Sequence, residues 1–145
     1  TDPEKIKSEK YIGNFDNMLI YYKKEGVKEN YYILINNDFA GYYQFSKIEG
    51  GIKTNLVWNS KQYAGSLRKF LTGFIIPKYK LVESDDMLSS KGFQMWEKMM
   101  ITNPEYGYYV KDYGKVYKLN HPKDVYVYKD IMDKDPNSTF IVRYE

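Results

Sequence analysis

The chain contains no cysteine and a single histidine, His121. That pair of scarcities excludes disulfides, thiolate metal sites and any Cys–His nucleophile pair, and removes most ready-made catalytic constellations. Arginine is scarce too, with only Arg68 and Arg143, which argues against bidentate recognition of phosphate or guanine. No apolar run approaches the roughly 18 residues of a membrane helix; the longest are pieces such as Phe74-Ile75-Ile76. Nucleophile-elbow serines, dinucleotide fingerprints and Gly-Lys-Ser/Thr loops are missing as well: Gly107 and Gly114 lie too far apart, and Gly50-Gly51 leads into an Ile-Lys strand.

What the chain has in abundance is tyrosine, seventeen in 145 residues, within an aromatic content of 18%. Tyr, Lys, Asn and Ile all use A/T-rich codons, so a low-GC genome produces such a bias without selection. The competing reading is a contact surface, because a phenol ring supplies large, rigid, amphipathic area at small entropic cost. Net charge is +3, from 22 basic and 19 acidic residues dispersed along the chain, too mild and mixed for a dedicated binder of duplex nucleic acid. The absence of thiols fits cytoplasm or periplasm alike, and a start at Thr1 is compatible with prior removal of a leader; the expectation is a soluble protein of undefined compartment.

A length of 145 residues fits one domain able to bury about two thirds of its unfolded surface. Residues 1–10 are polar and read as a flexible lead-in, with a single α+β domain over 11–145. Phe15, Leu19 and Tyr22 recur at helical spacing behind Asn14 or Asp16, with Gly26 as a stop, and predict a first helix. Three strands in a meander are expected from Asn30 to Trp58, punctuated by Asn36-Asn37-Asp38 and Glu49-Gly50-Gly51. A second helix carries the stripe Tyr63, Leu67, Phe70, Leu71, Phe74 and ends at Gly73; Phe74 to Val82 then reads as an edge strand bearing Pro77. A third helix contains Phe93, Met95, Trp96, Met99 and Met100, capped from Ser84-Asp85-Asp86 or Ser89-Ser90 and closed by Asn103-Pro104. A hairpin turning near Asp112-Tyr113-Gly114 follows. Val125 to Tyr128 fits helix or strand, residues 133–138 a loop, and Thr139 to Tyr144 a last strand. The pattern predicts a mostly antiparallel sheet with three or four helices on one face, and surplus tyrosines on the other.

Candidate chemistry is sparse. His121, between Asn120 and Pro122, reads as a capping or turn residue, and Glu83, Asp85 and Asp86 as acids favoured ahead of a helix. Read as a site, Asp85 and Asp86 are the pair for a carboxylate-dependent hydrolase. The loop from Asp133 begins like a calcium loop, but has Ser138 where glycine and Tyr144 where the bidentate glutamate belong. Met87, Met95, Met99 and Met100 suit either an adaptable groove or core filling. No cofactor or metal is expected. Around Tyr108-Tyr109-Val110-Lys111 and Lys115-Val116-Tyr117 aromatics interleave with lysines. Tyr109 with Lys111, and Lys115 with Tyr117, then form a platform in which Tyr108, Tyr113 and Tyr128 join as anchors. The function expected is a small non-catalytic protein-binding module acting by occlusion, of the inhibitor or immunity type; binding of polysaccharide or single-stranded nucleic acid through the same rings is the alternative.

Overall fold

The structure is a computed structural model and describes residues 2–86, 88–129 and 138–145. A short helix, α1 (Pro3–Ile6), precedes five strands: β1 (Lys10–Phe15), β2 (Met18–Glu25), β3 (Lys28–Ile35), β4 (Asp38–Ile48) and β5 (Gly51–Asn59). A 3-10 turn at Lys61–Tyr63 leads into α2 (Ser66–Phe70), a π-turn over Leu71–Ile75 and α3 (Ile76–Tyr79). Then come β6 (Leu81–Glu83), α4 (Ser90–Thr102), the hairpin β7 (Gly107–Asp112) and β8 (Lys115–Lys118), α5 (Asp124–Val127) and β9 (Thr139–Arg143).

All nine strands belong to one sheet in the order β1-β2-β3-β4-β5-β6-β9-β7-β8. The sheet is mixed: β5 and β6 run parallel through Ile52↔Val82 and Lys53↔Glu83, while every other pairing is antiparallel. Ser84 extends the junction beyond β6, donating its N–H to the Phe140 carbonyl at 2.8 Å and accepting from Phe140 N–H at 2.9 Å.

One face of the sheet is buried under α2 to α5. Ile20, Tyr31, Ile33, Tyr43, Phe45, Ile52, Val82, Val110, Phe140 and Val142 meet Phe70, Leu71, Ile76, Phe93, Trp96, Met99 and Val125 in the main core. Tyr31 is its centre, within 5.2–6.1 Å of Tyr22, Phe45, Phe70 and Phe74, its hydroxyl 2.6 Å from that of Tyr79. Burial, before any charge effect, holds the Tyr31 phenol in its neutral form.

Four expectations change. The helix placed at 14–26 is the β1–β2 hairpin: Met18, Ile20 and Tyr22 alternate inward with period two, and Asp16 takes the left-handed conformation at the turn (φ 56°). Phe15, Leu19 and Tyr22 also satisfy helical spacing, so periodicity alone misassigns them. The lead-in carries α1, where Asp2 accepts the Glu4 N–H at 3.0 Å and Ile6 is buried against Tyr21 and Leu34 on the other sheet face. The helices therefore do not all lie on one side. Gly73 does not end the second helix, because the π-turn carries the chain through to Tyr79, and Pro77 sits in the first turn of α3, where proline is tolerated. The strand expected from Phe74 contracts to Leu81–Glu83.

The meander, α4 with Ser89 as its cap (Gly92 N–H to Ser89 Oγ, 3.2 Å), the β7–β8 hairpin, the helical option at 125–128 and the final strand stand as expected. Residues 130–137, including most of the acidic loop, and Met87 lie outside the described residues.

Candidate functional site

Three Tyr-Tyr doublets, Tyr21-Tyr22, Tyr31-Tyr32 and Tyr42-Tyr43, lie in adjacent strands. Strand residues alternate faces, so each doublet sends one ring into the core and one out. The register aligns them: Tyr22, Tyr31 and Tyr43 form an inner row, and Tyr11, Tyr21, Tyr32, Tyr42 and Trp58 an outer row crossing all five strands of the meander.

A bulge makes this alignment. The β3–β4 pairing shifts by one residue between Ile33 and Leu34, past a turn in which Asn36 and Asn37 both have positive φ (51° and 65°). Without that extra residue Tyr42 would face Tyr31 and the rows would break.

The outer row is not uniformly open. Ile6 covers Tyr21, and Tyr11 packs on Tyr21 at 5.4 Å. Toward β5 the rings are accessible: Tyr32 contacts Tyr42 at 5.2 Å and Phe39 at 6.4 Å, and Phe39 contacts Trp58 at 4.7 Å. Trp58 is 46% exposed and Leu56 57%. Interplanar angles of 34–42° tilt these rings against one another, giving a corrugated apolar surface.

Beneath the rings runs an amide row. The Tyr42 hydroxyl donates to Asn30 Oδ1, Gln44 Nε2 donates to Asn30 Oδ1 and to the Tyr42 oxygen, both at 2.9 Å, and Asn30 Nδ2 donates to the Lys23 carbonyl at 3.1 Å. Gln44 Oε1 is buried with no hydrogen-bond partner among the described residues. Burial raises the Tyr32 and Tyr42 phenols, Glu25 raises both further, and Glu9 adds to the effect at Tyr32. Carboxylates thus stand near these rings.

The other half of the outer face is charged. Glu83, 6% exposed, lies 3.5 Å from both Lys53 and Lys111, and Lys53 reaches Asp86 at 2.6 Å. Burial works against the Lys53 charge, yet Asp86 and Glu83 together raise its pKa. Asp85 Oδ1 accepts the Asp86 N–H at 2.7 Å, so this acid pair is committed to a turn and an ion pair. His121 Nδ1 accepts the Lys123 N–H at 3.1 Å, while Asp124 Oδ2 accepts from the Asn120 and His121 amides at 3.1 and 3.0 Å. The histidine is a turn residue at the entry to α5.

The platform anticipated on β7–β8 does not assemble. Tyr108 is 4% exposed and donates to the carbonyls of Met99 and Asn103 at 2.9 and 2.8 Å; it is a core residue tying β7 to the end of α4. Tyr109 and Lys111 do share the outer face, with the Tyr109 hydroxyl on Glu145 at 2.6 Å and Arg143 5.7 Å from its ring. Lys115 pairs with Asp112 and Tyr117 with Val110, which places both on the opposite face. Tyr113 lies at the exposed hairpin turn (φ 49°), and Tyr128 packs against the main core. A two-residue turn joins strands whose side chains alternate, so neighbouring Tyr-Lys pairs need not meet on one side. Comparison with protein-family models, curated proteins and solved structures finds no match.

A pH-dependent brace joins α4 to α5. Lys123 lies 2.8 Å from Glu97 Oε2, and the Tyr126 hydroxyl donates to Oε1 at 2.9 Å; these bonds, Lys123 first, hold the Glu97 carboxyl below its usual range. A depressed carboxyl stabilises the fold above its unfolded pKa and loses that contribution as pH falls through the folded value. Thermal melts of the protein and of Glu97→Gln should therefore differ by a constant margin down to about pH 5, with the gap closing below about pH 4. A gap unchanged at pH 3 would show that the bonds have no net electrostatic value.

Proposed function

We propose that this protein is a non-catalytic binding module that engages a protein partner by occlusion, as an inhibitor or immunity-type protein does, through the outer face of β3 to β5. One observation carries the reading: the accessible end of the aromatic row, the half-buried Tyr32, Phe39 and Tyr42 and the exposed Trp58, lies on the sheet face opposite α2 to α5. Aromatic anchors ringed by polar and charged groups are the usual composition of an interface centre and its rim.

The tilt of the rings favours a protein over a sugar or a base. A stacking platform presents its faces flat to a planar ligand, whereas rings inclined at 34–42° leave ridges and clefts that accept side chains. The neighbouring Glu9 and Glu25 disfavour a polyanion.

Affinity capture from the source cells with the protein and with a Tyr42→Ala, Trp58→Ala variant tests this. A specific protein should be retained by the former and lost by the latter, since each anchor is worth about 2 kcal/mol or more. Tyr117→Ala, altered on the opposite face, should retain it. Retention of that protein by the double variant would overturn the reading, as would capture only of nucleic acid or of polysaccharide.

A further inference from the structure

The helical face has a gap. β6 ends after Glu83, so among the described residues β5 has no strand neighbour on that side beyond Lys53; α2 meets β5 at Asn59, whose Oδ1 accepts the Leu67 N–H at 3.0 Å, and α4 lines the other side of the gap. The result is a groove of about 910 Å³ between the two helices. Near the C-terminal end of α4 it is bridged by Arg68, whose Nη1 donates to Thr102 Oγ1 at 3.4 Å.

Its lining is divided. Val57 and the half-buried Leu88 and Met95 contribute apolar surface above the buried Leu71, Val82 and Trp96, and the nearby Tyr43 hydroxyl is satisfied 2.6 Å from Thr54 Oγ1. Val57 is 46% exposed although it points to the helical face. Four cations, Lys61, Arg68, Lys91 and Lys98, stand in the lining against one carboxylate, Asp85. None of the four pairs with a carboxylate among the described residues, whereas Asp85 is turned onto the Asp86 amide. The first turn of α4, which enters the groove at Ser89, Lys91 and Gly92, contains no acid to offset its positive end.

We infer that this groove is a second site, which takes a small amphipathic anion: a carboxylate on an elongated apolar body, with the body against Val57, Leu88 and Met95 and the carboxylate among the four cations. The volume falls in the range of small-ligand sites, roughly 300–1,000 Å³. An apolar lining with surplus positive charge selects for both parts of such a molecule at once, because burial of the tail brings the anion to cations that have no carboxylate partner among the described residues. The inference does not depend on the outer face and survives if that surface binds nothing.

Calorimetric titration with decanoate, below its micellar concentration, is the test, with decanol, acetate and an acidic amphipathic peptide as comparisons. Decanoate should bind at one saturable site, acetate should not bind, and decanol should bind at least about tenfold more weakly. Lys61→Gln, Lys91→Gln should weaken decanoate by about tenfold while leaving decanol unchanged. Val57→Asp, at an exposed position that spares the core, should abolish binding while the circular dichroism spectrum stays native. Equal affinity for decanol and decanoate would remove the anion site, and no saturation by about 1 mM decanoate would remove the site altogether. A peptide that binds the protein but not Val57→Asp, with no saturable binding of decanoate, would assign the groove to a protein instead.

Discussion

Replacing Tyr31 by alanine is expected to cost about 3–5 kcal/mol of folding stability, the range for truncating a large buried aromatic side chain, whereas the same change at Tyr32 should cost about 1 kcal/mol. The two residues are adjacent in sequence and identical in chemistry. Tyr31 is fully buried, touches four rings and shares a hydrogen bond with Tyr79; Tyr32 lies on the outer face against Phe39 and Tyr42. Tyr31→Phe keeps the packing and removes only the hydroxyl, leaving Tyr79 without its partner, and should cost about 1–2 kcal/mol. Denaturant unfolding of the three variants decides the matter, since midpoints should fall in the order Tyr32→Ala, Tyr31→Phe, Tyr31→Ala. A Tyr32→Ala loss as large as that of Tyr31→Ala would mean the outer row is a structural element, and the case for leaving it open to a partner would fail.

The second large effect lies at the parallel junction. A methyl group on Gly51 would sit 2.2 Å from the Leu81 carbonyl oxygen and 2.8 Å from Leu81 Cβ. The obstacle is backbone, which cannot rotate away as the end of a side chain would. Ile52↔Val82 and Lys53↔Glu83 are the pairings that join the meander to the rest of the sheet across β5 and β6. Gly51→Ala should therefore destabilise by at least about 1–3 kcal/mol, as overpacking does. It should also speed amide exchange of Val82 and Glu83 more than that of β2 and β3. An unaltered midpoint with native exchange at β6 would show that β5 and β6 can separate without loss.

Both predictions turn on features of unequal visibility in the sequence. The β3–β5 meander was legible because apolar runs of strand length are separated by Asn-Asn-Asp and Glu-Gly-Gly turns. The third helix was legible because Phe93, Trp96, Met99 and Met100 repeat at helical spacing between a serine cap and Asn103-Pro104. The first hairpin was not, since Phe15, Leu19 and Tyr22 satisfy the helical period while Met18, Ile20 and Tyr22 satisfy the period of two, and only pairing with β3 selects the extended form. Nor was α1, because a single apolar residue, Ile6, in a polar stretch gives no periodic signal. The residues expected to form one platform divide between two faces for the same reason: which face a tyrosine takes depends on register, and the β7–β8 turn sends Tyr117 and Tyr109 to opposite sides. The missed signal was the recurrence of Tyr-Tyr doublets at 21–22, 31–32 and 42–43, which in successive strands implies paired inner and outer rows.

Composition and local pattern alone determined that this chain lacks thiol chemistry and has one histidine at a turn, and that it mixes strands with a few helices and carries seventeen tyrosines. These properties are set residue by residue, through covalent chemistry, turn conformation and hydrophobic period. Tertiary structure decided which tyrosines are buried, that the doublets coincide across a bulge, that β5 and β6 meet in parallel, and that a cation-rimmed groove opens where β6 ends. Those outcomes depend on pairing between residues distant in sequence, and a shift of one residue in any ladder would exchange the two faces.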